Sequence, residues 1–147
     1  MAMYGVSGRA TVVGTSARAI ASVFGIASIS GAIREIGVVN TTSTAVAVGV
    51  IRFSAATNVG AGLTEFKYDD QSVSPSLTGF AGHTGDGTTT GGIIRHAVLP
   101  AAVGAGIVWT FGGASGLTIP AGTANGVGIY IPTGTGQICD YWIDWEE

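Results

Sequence analysis

Apolar positions along this chain recur at every second residue, in short runs separated by glycine, proline and small polar residues. The clearest run is Thr44-Ala-Val-Ala-Val-Gly-Val-Ile-Arg-Phe53. In an extended chain Val46, Val48 and Val50 point to one side, and Ala45, Ala47, Gly49, Ile51 and Phe53 to the other. Both sides are apolar, which predicts a strand covered on both faces, with small residues where another layer comes close. Ile33-Arg-Glu-Ile-Gly-Val-Val-Asn40 predicts the strand before it, joined through Asn40-Thr-Thr-Ser43. Further strands are predicted at Gly106–Phe111, closed by Gly112 and Gly113, and at Gly116–Ile119, ended by Pro120. The last two are Val127–Ile131, stopped by Pro132, and Gln137–Trp145. In the final strand Cys139, Tyr141, Ile143 and Trp145 form an apolar side, while Asp140 and Asp144 flank Trp142 on the other.

Two regions lack a clear period. Ala17 to Ile29 holds Ile20, Val23, Phe24 and Ala27 at helical spacing, but Gly25 and the β-branched content favour a strand. Residues 71–92 are rich in Gly, Ser and Thr and read as a long loop, or as an excursion between two sheets. The chain as a whole therefore predicts an all-β fold: a single-domain β-sandwich, jelly-roll-like, spanning 1–147 with a long loop around 71–92. Its strands number roughly 8 or 9, spaced as sandwiches space them.

Composition narrows the functional classes. Only 10% of the 147 residues are Asp, Glu, Lys or Arg, and 25 are glycine. Six basic against nine acidic residues give a net charge of -3, so no basic field exists to hold a nucleic acid. No run reaches the ~20 apolar residues of a membrane helix, and no membrane partner is expected. The N-terminus lacks the basic-then-apolar order of a secretory signal. Cys139 is the only cysteine, which excludes an intrachain disulfide; it reads as a small core residue.

The candidate chemistry is sparse. His83 sits in a glycine-rich stretch near Asp86, with Asp69 and Asp70 upstream, yet the spacing fits neither an EF-hand nor a zinc motif. It reads as part of a solvated loop. His96 falls on an expected strand and reads as an edge or interface side chain. No serine occupies a Gly-x-Ser-x-Gly elbow, and Gly104-Ala-Gly106 enters a strand instead of opening a helix, so neither a hydrolase nor a phosphate loop is indicated. Asp140 and Asp144 lie about 13 Å apart by strand rise, too far for a glycosidase pair unless a third acid joins. No enzyme, cofactor or metal is expected. The aromatic C-terminus has interaction character, so Tyr130, Tyr141, Trp142 and Trp145 are candidate interface residues; the competing reading packs Tyr141 and Trp145 in the core.

Four segments carry a resemblance: Ile33-Arg-Glu-Ile-Gly-Val-Val-Asn-Thr-Thr42, Ile107-Val-Trp-Thr-Phe111, Leu117-Thr-Ile-Pro-Ala-Gly-Thr-Ala-Asn-Gly126 and Ile131-Pro-Thr-Gly-Thr-Gly-Gln-Ile-Cys-Asp140. They resemble small virion proteins of tailed bacteriophages, among them capsid decoration (cement) proteins. The resemblance implies a homotrimer on the outer capsid surface, made in the host cytoplasm, that ties neighbouring major capsid proteins together. The alternative is a tail, baseplate or fibre component that binds a receptor or glycan through Trp142 and Tyr130. From Ala97 to Cys139 no charged residue occurs, more uncharged surface than a small sandwich can hide, which points to assembly.

Overall fold

The computed structural model describes residues 1–15 and 18–147. It is an all-β sandwich of two packed antiparallel sheets, with no helix among the described residues. The strands are β1 (Met3–Arg9), β2 (Ala21–Phe24), β3 (Gly31–Asn40), β4 (Val46–Phe53), β5 (Phe66–Lys67) and β6 (Thr78–Ala81). They continue with β7 (Thr89–Leu99), β8 (Gly106–Thr110), β9 (Leu117–Ile119), β10 (Gly126–Tyr130) and β11 (Cys139–Glu146). Sheet A has the order β5-β1-β11-β3-β8, with β9 also paired to β3; sheet B has the order β6-β2-β10-β4-β7. Strands adjacent in sequence thus tend to lie in opposite sheets, and long-range pairings close both sheets.

The alternation in sequence explains the packing. The core faces of β3 and β11 supply Ile33, Ile36, Val38, Tyr141, Ile143 and Trp145, all buried against Val46, Val48 and Val50 of β4 and Val127 and Ile129 of β10. Tyr4 of β1 meets Trp145 with ring centroids 6.2 Å apart. Cys139 is fully buried there, and burial, reinforced by Asp140, pushes its thiol up to about 11. The strand expected at 44–53 is covered on both faces. Its second face, with Ile51 and Phe53, packs with Ala19, Phe24 and Tyr130 into a separate outer cluster that includes partly buried Val59 and Phe80.

Several expectations need correction. The stretch 71–92 is not a continuous loop: it contains β6 and the start of β7. β1 and the two-residue β5 carry weak alternation and are visible only once their partner strands are known. The strand expected within 17–29 is β2; Ala17 itself lies outside the described residues.

Candidate functional site

Two surfaces of the sandwich carry side chains that packing alone does not account for. The first is the outer face of sheet A. Strand register sets its residues in rows across the sheet: Phe66, Gly5, Asp144, Glu35 and Thr110 in one, and Ser7, Trp142, Gly37 and Val108 in the next. The Trp142 ring lies on Gly37 so closely that any Cβ at position 37 would overlap it. Its indole Nε1 donates to Glu35 Oε1 at 2.7 Å, which fixes the ring in plane. Beside it, the exposed Tyr68 (57%) donates its hydroxyl to Asp144 Oδ2 at 2.8 Å.

Asp144 is the unusual member of this group. It is only 5% exposed, and its Oδ1 has no hydrogen-bond partner. Burial raises its pKa and Glu35 directly across the ladder raises it further, while the Tyr68 hydroxyl acts in the opposite sense. Tyr68 in turn is pushed up to about 12, by burial of its hydroxyl and by the hydrogen bond to Asp144. Asp140, one row further along from Trp142, is ion-paired with Arg9 at 2.7 Å, which holds its carboxyl below the usual range. Glu35 is the third acid that the two-aspartate spacing lacked. It nonetheless binds Trp142, and Asp144 is covered, so the pair does not flank an open cleft.

The second surface is the edge where β7 closes sheet B and β8 closes sheet A. The turn at 100–105 carries the chain from one edge strand to the other. Val98 (66% exposed) on the outer face of sheet B, Val108 on the outer face of sheet A, and Val103 (72%) and Ile93 are all exposed along this edge. Arg95 is the only charged residue between Asp86 and Asp140, and its guanidinium stands over the Phe111 ring, 5.2 Å from the centroid. His96 lies exposed on this same strand. The opposite end is built differently: β5 has two residues, residues 61–63 bond along β6, and Glu65, Lys67, Asp69 and Asp70 cluster nearby. Short strands, covering segments and charge protect a sheet edge from pairing with other chains. β7, with eleven residues, is long and carries Arg95 as its only Asp, Glu, Lys or Arg.

The sequence-derived site residues divide between interior and surface. Tyr130, Tyr141 and Trp145 are buried inside the chain, and only Trp142 reaches the surface. Tyr130 points outward from sheet B but lies in the outer aromatic cluster, so it offers no ring for stacking. His83 is not in a solvated loop. It is fully buried, 5.0 Å from the Phe53 ring centroid, with Nε2 2.8 Å from Ser22 Oγ and Nδ1 unpartnered. Burial lowers its pKa to about 4, so the ring is neutral and serves as packing. A shallow depression of about 270 Å³ lies beside Arg34 and Glu146, but those two side chains already neutralise each other.

Glu35, Phe66 and Tyr68 escaped sequence reasoning because only the register of β3, β5 and β11 brings them to Trp142. The available signal was Glu35 itself, a charge set within an otherwise apolar strand. Comparison with protein-family models, with curated proteins and with solved structures gives no match to this chain.

Proposed function

We propose that this chain is a non-enzymatic structural protein of a bacteriophage particle, a homotrimeric capsid decoration protein that bridges major capsid proteins on the outer shell. One observation carries the reading: the edge formed by β7, the 100–105 turn and β8, where Arg95 is the only Asp, Glu, Lys or Arg and Ile93, Val98, Val103 and Val108 are exposed. Exposed apolar side chains along a long edge strand and its neighbouring turn favour association with another protein surface. Closed symmetry is the usual way such a patch is satisfied between identical chains. The strand order supports a jelly-roll reading, since β1, β11, β3 and β8 interleave with β2, β10, β4 and β7 as two Greek keys do. Binding only the assembled shell would stabilise that shell by mass action.

Light scattering on the purified protein at micromolar concentration tests the assembly step. A trimer is expected, and the double variant Val98→Lys, Val103→Lys is expected to be monomeric with an unchanged circular dichroism spectrum. A monomeric wild-type protein would remove the basis of the reading. The shell role is tested by heating particles with and without the protein: earlier genome release without it is expected, and equal release temperatures argue against a decoration role.

A further inference from the structure

Sheet B carries an ionisable ring beneath a light cover. We propose that His83 is an acid-released latch: when its imidazole takes up a proton, residues 82–88, with Asn58 clipped to them, lift off the outer face of sheet B and bare the rings of Phe24 and Phe53. The inference does not depend on the particle or the oligomer.

The cage around His83 suits the neutral ring only. The residue is fully buried, with its ring centroid 5.0 Å from that of Phe53 and 6.4 Å from that of Phe24. Ser22 Oγ, 2.8 Å from Nε2, is the hydrogen-bond partner of the ring, and Nδ1 has none. A neutral imidazole satisfies this arrangement by placing its one N–H on Nε2, toward Ser22, and leaving Nδ1 a bare acceptor. The imidazolium must carry a second N–H, and a charge, to a position without an acceptor. Charged groups on the surrounding elements do not compensate. Asp86 accepts from Thr15 Oγ1, and Glu65 accepts from the Gly79 N–H of β6. Arg52 of β4 donates to the Thr118 carbonyl, and Arg18, next to Ala19, is a like charge. No ion pair to His83 occurs among the described residues. The faces of Phe24 and Phe53 attract a cation, but they do not accept its second N–H.

The cover over the ring is lightly fastened. Besides the imidazole, three hydrogen bonds among the described residues tie 82–88 to the body of the sandwich. They run from His83 N–H to the Ala19 carbonyl (2.9 Å), from Ser54 N–H to the Thr88 carbonyl (3.0 Å) and from Thr15 Oγ1 to Asp86 (3.3 Å). Asn58 belongs to the same unit: its carbonyl accepts from Thr84 N–H and Oγ1, and its Nδ2 donates to the Asp86 carbonyl. Thr84, Asp86 and Thr88 are exposed, and the main core lies on the other face of the sheet. A segment with few buried contacts and exposed hydrogen bonds opens without global unfolding. The closed cover holds the ring's pKa down to about 4, and opening returns it to 6.5. The open form therefore takes up the proton first, and the closed form loses stability as pH falls between those two values.

The test is amide hydrogen exchange by NMR on the intact protein from pH 7 to pH 4, corrected for the intrinsic pH dependence of exchange. The chemical shifts of the His83 ring nitrogens are followed in parallel. The His83 and Ser54 amides, which close the cover onto the sheet, are expected to lose about a hundredfold in protection across that range. They are also expected to exchange at least about tenfold faster than the amides of β3 and β11 throughout. His83→Gln and His83→Phe, each checked by circular dichroism, are expected to keep the protection of the residue-83 and Ser54 amides nearly level with pH. If neither variant folds, the wild-type profile decides alone. Three results overturn the proposal. The ring titrates while both reporter amides stay protected, so that the cage holds the cation; the reporters and the β3 and β11 amides fall to one common protection, so that only global unfolding occurs; or a folded variant without His83 shows the full loss.

Discussion

The outer faces of the two sheets use the same device and finish it differently. In both, glycines in the strands let aromatic rings lie close to the backbone: Gly126 and Gly128 under Phe24 and Phe53 on sheet B, Gly37 and Gly5 under Trp142 and Phe66 on sheet A. On sheet B neighbouring segments fold over the rings. Val59, Phe80 and His83 seal them, and the result is a second core. On sheet A Trp142 stays partly exposed, and the acids Glu35, Asp140 and Asp144 stand among the rings. The same glycine-aromatic contact therefore makes interior in one place and surface in the other. What decides between them is whether the chain supplies an apolar cover.

This contrast can be broken in several ways. Phe53→Ala opens a cavity in the sealed cluster and is expected to cost about 3–5 kcal/mol, whereas Trp142→Ala, at a partly exposed ring, is expected to cost less, about 1–2 kcal/mol. Chemical denaturation of both variants measures this, and equal costs would mean that the two faces are equally interior.

A second effect is specific to sheet B. His83 is held neutral, with a pKa near 4 against 6.5 when exposed. The unfolded chain therefore takes up a proton first as pH falls, and stability declines from about pH 6.5 to about pH 4, by about 3 kcal/mol in all. His83→Gln is expected to flatten that slope in a pH series of unfolding midpoints; an unchanged slope would assign it to other groups.

Paired glycine substitutions come next in size. At Gly128 an added Cβ meets the Phe53 ring at 2.6 Å and the Ala21 carbonyl at 3.0 Å, neither free to move, so Gly128→Ala is expected to cost about 2 kcal/mol. At Gly37 the obstacle is Trp142, which can swing outward, so Gly37→Ala is expected to cost less than about 1 kcal/mol while unseating the ring. The reverse ranking would sink the comparison.

The smallest effect concerns Asp144. Its folded pKa lies above the unfolded one, so its carboxylate subtracts from stability as pH rises through that raised value. Asp144→Asn removes the cross-strand repulsion with Glu35 and is expected to add a few tenths of a kcal/mol at pH 7. The gain should vanish below about pH 3.9. A variant less stable than the parent at neutral pH would show that the carboxylate is better accommodated than its orphaned oxygen indicates.

Much of the sandwich was legible in the sequence, because alternation is a local signal. The runs at 33–40, 44–53, 106–111, 127–131 and 137–145 each match an observed strand to within two residues at either end. The double coverage of β4 was also readable, from apolar side chains on both its faces. Non-local information was not. β5 exists only because Phe66 and Lys67 reach β1. His83 looked solvated because its neighbours are Gly and Thr, and nothing local reveals that Phe24, Phe53 and Ser22 enclose it. Trp142 was distinguishable from Tyr141 and Trp145 by parity alone; its partners Glu35 and Tyr68, separated from it by 107 and 74 residues of chain, were not.

The strand order also bears on how this chain becomes a protein in time. The strand joining β1 to β3 in sheet A is β11, and the strand joining β2 to β4 in sheet B is β10. Each joining strand follows every one of its partners in the sequence. A ribosome therefore releases both halves of both sheets before either can be zipped together, and a chain cut short ahead of residue 126 lacks both keystones. Non-local closure of this kind is slow and exposes edges while it waits. Incomplete products should consequently present as substrates for chaperones and proteases, not as small stable sandwiches.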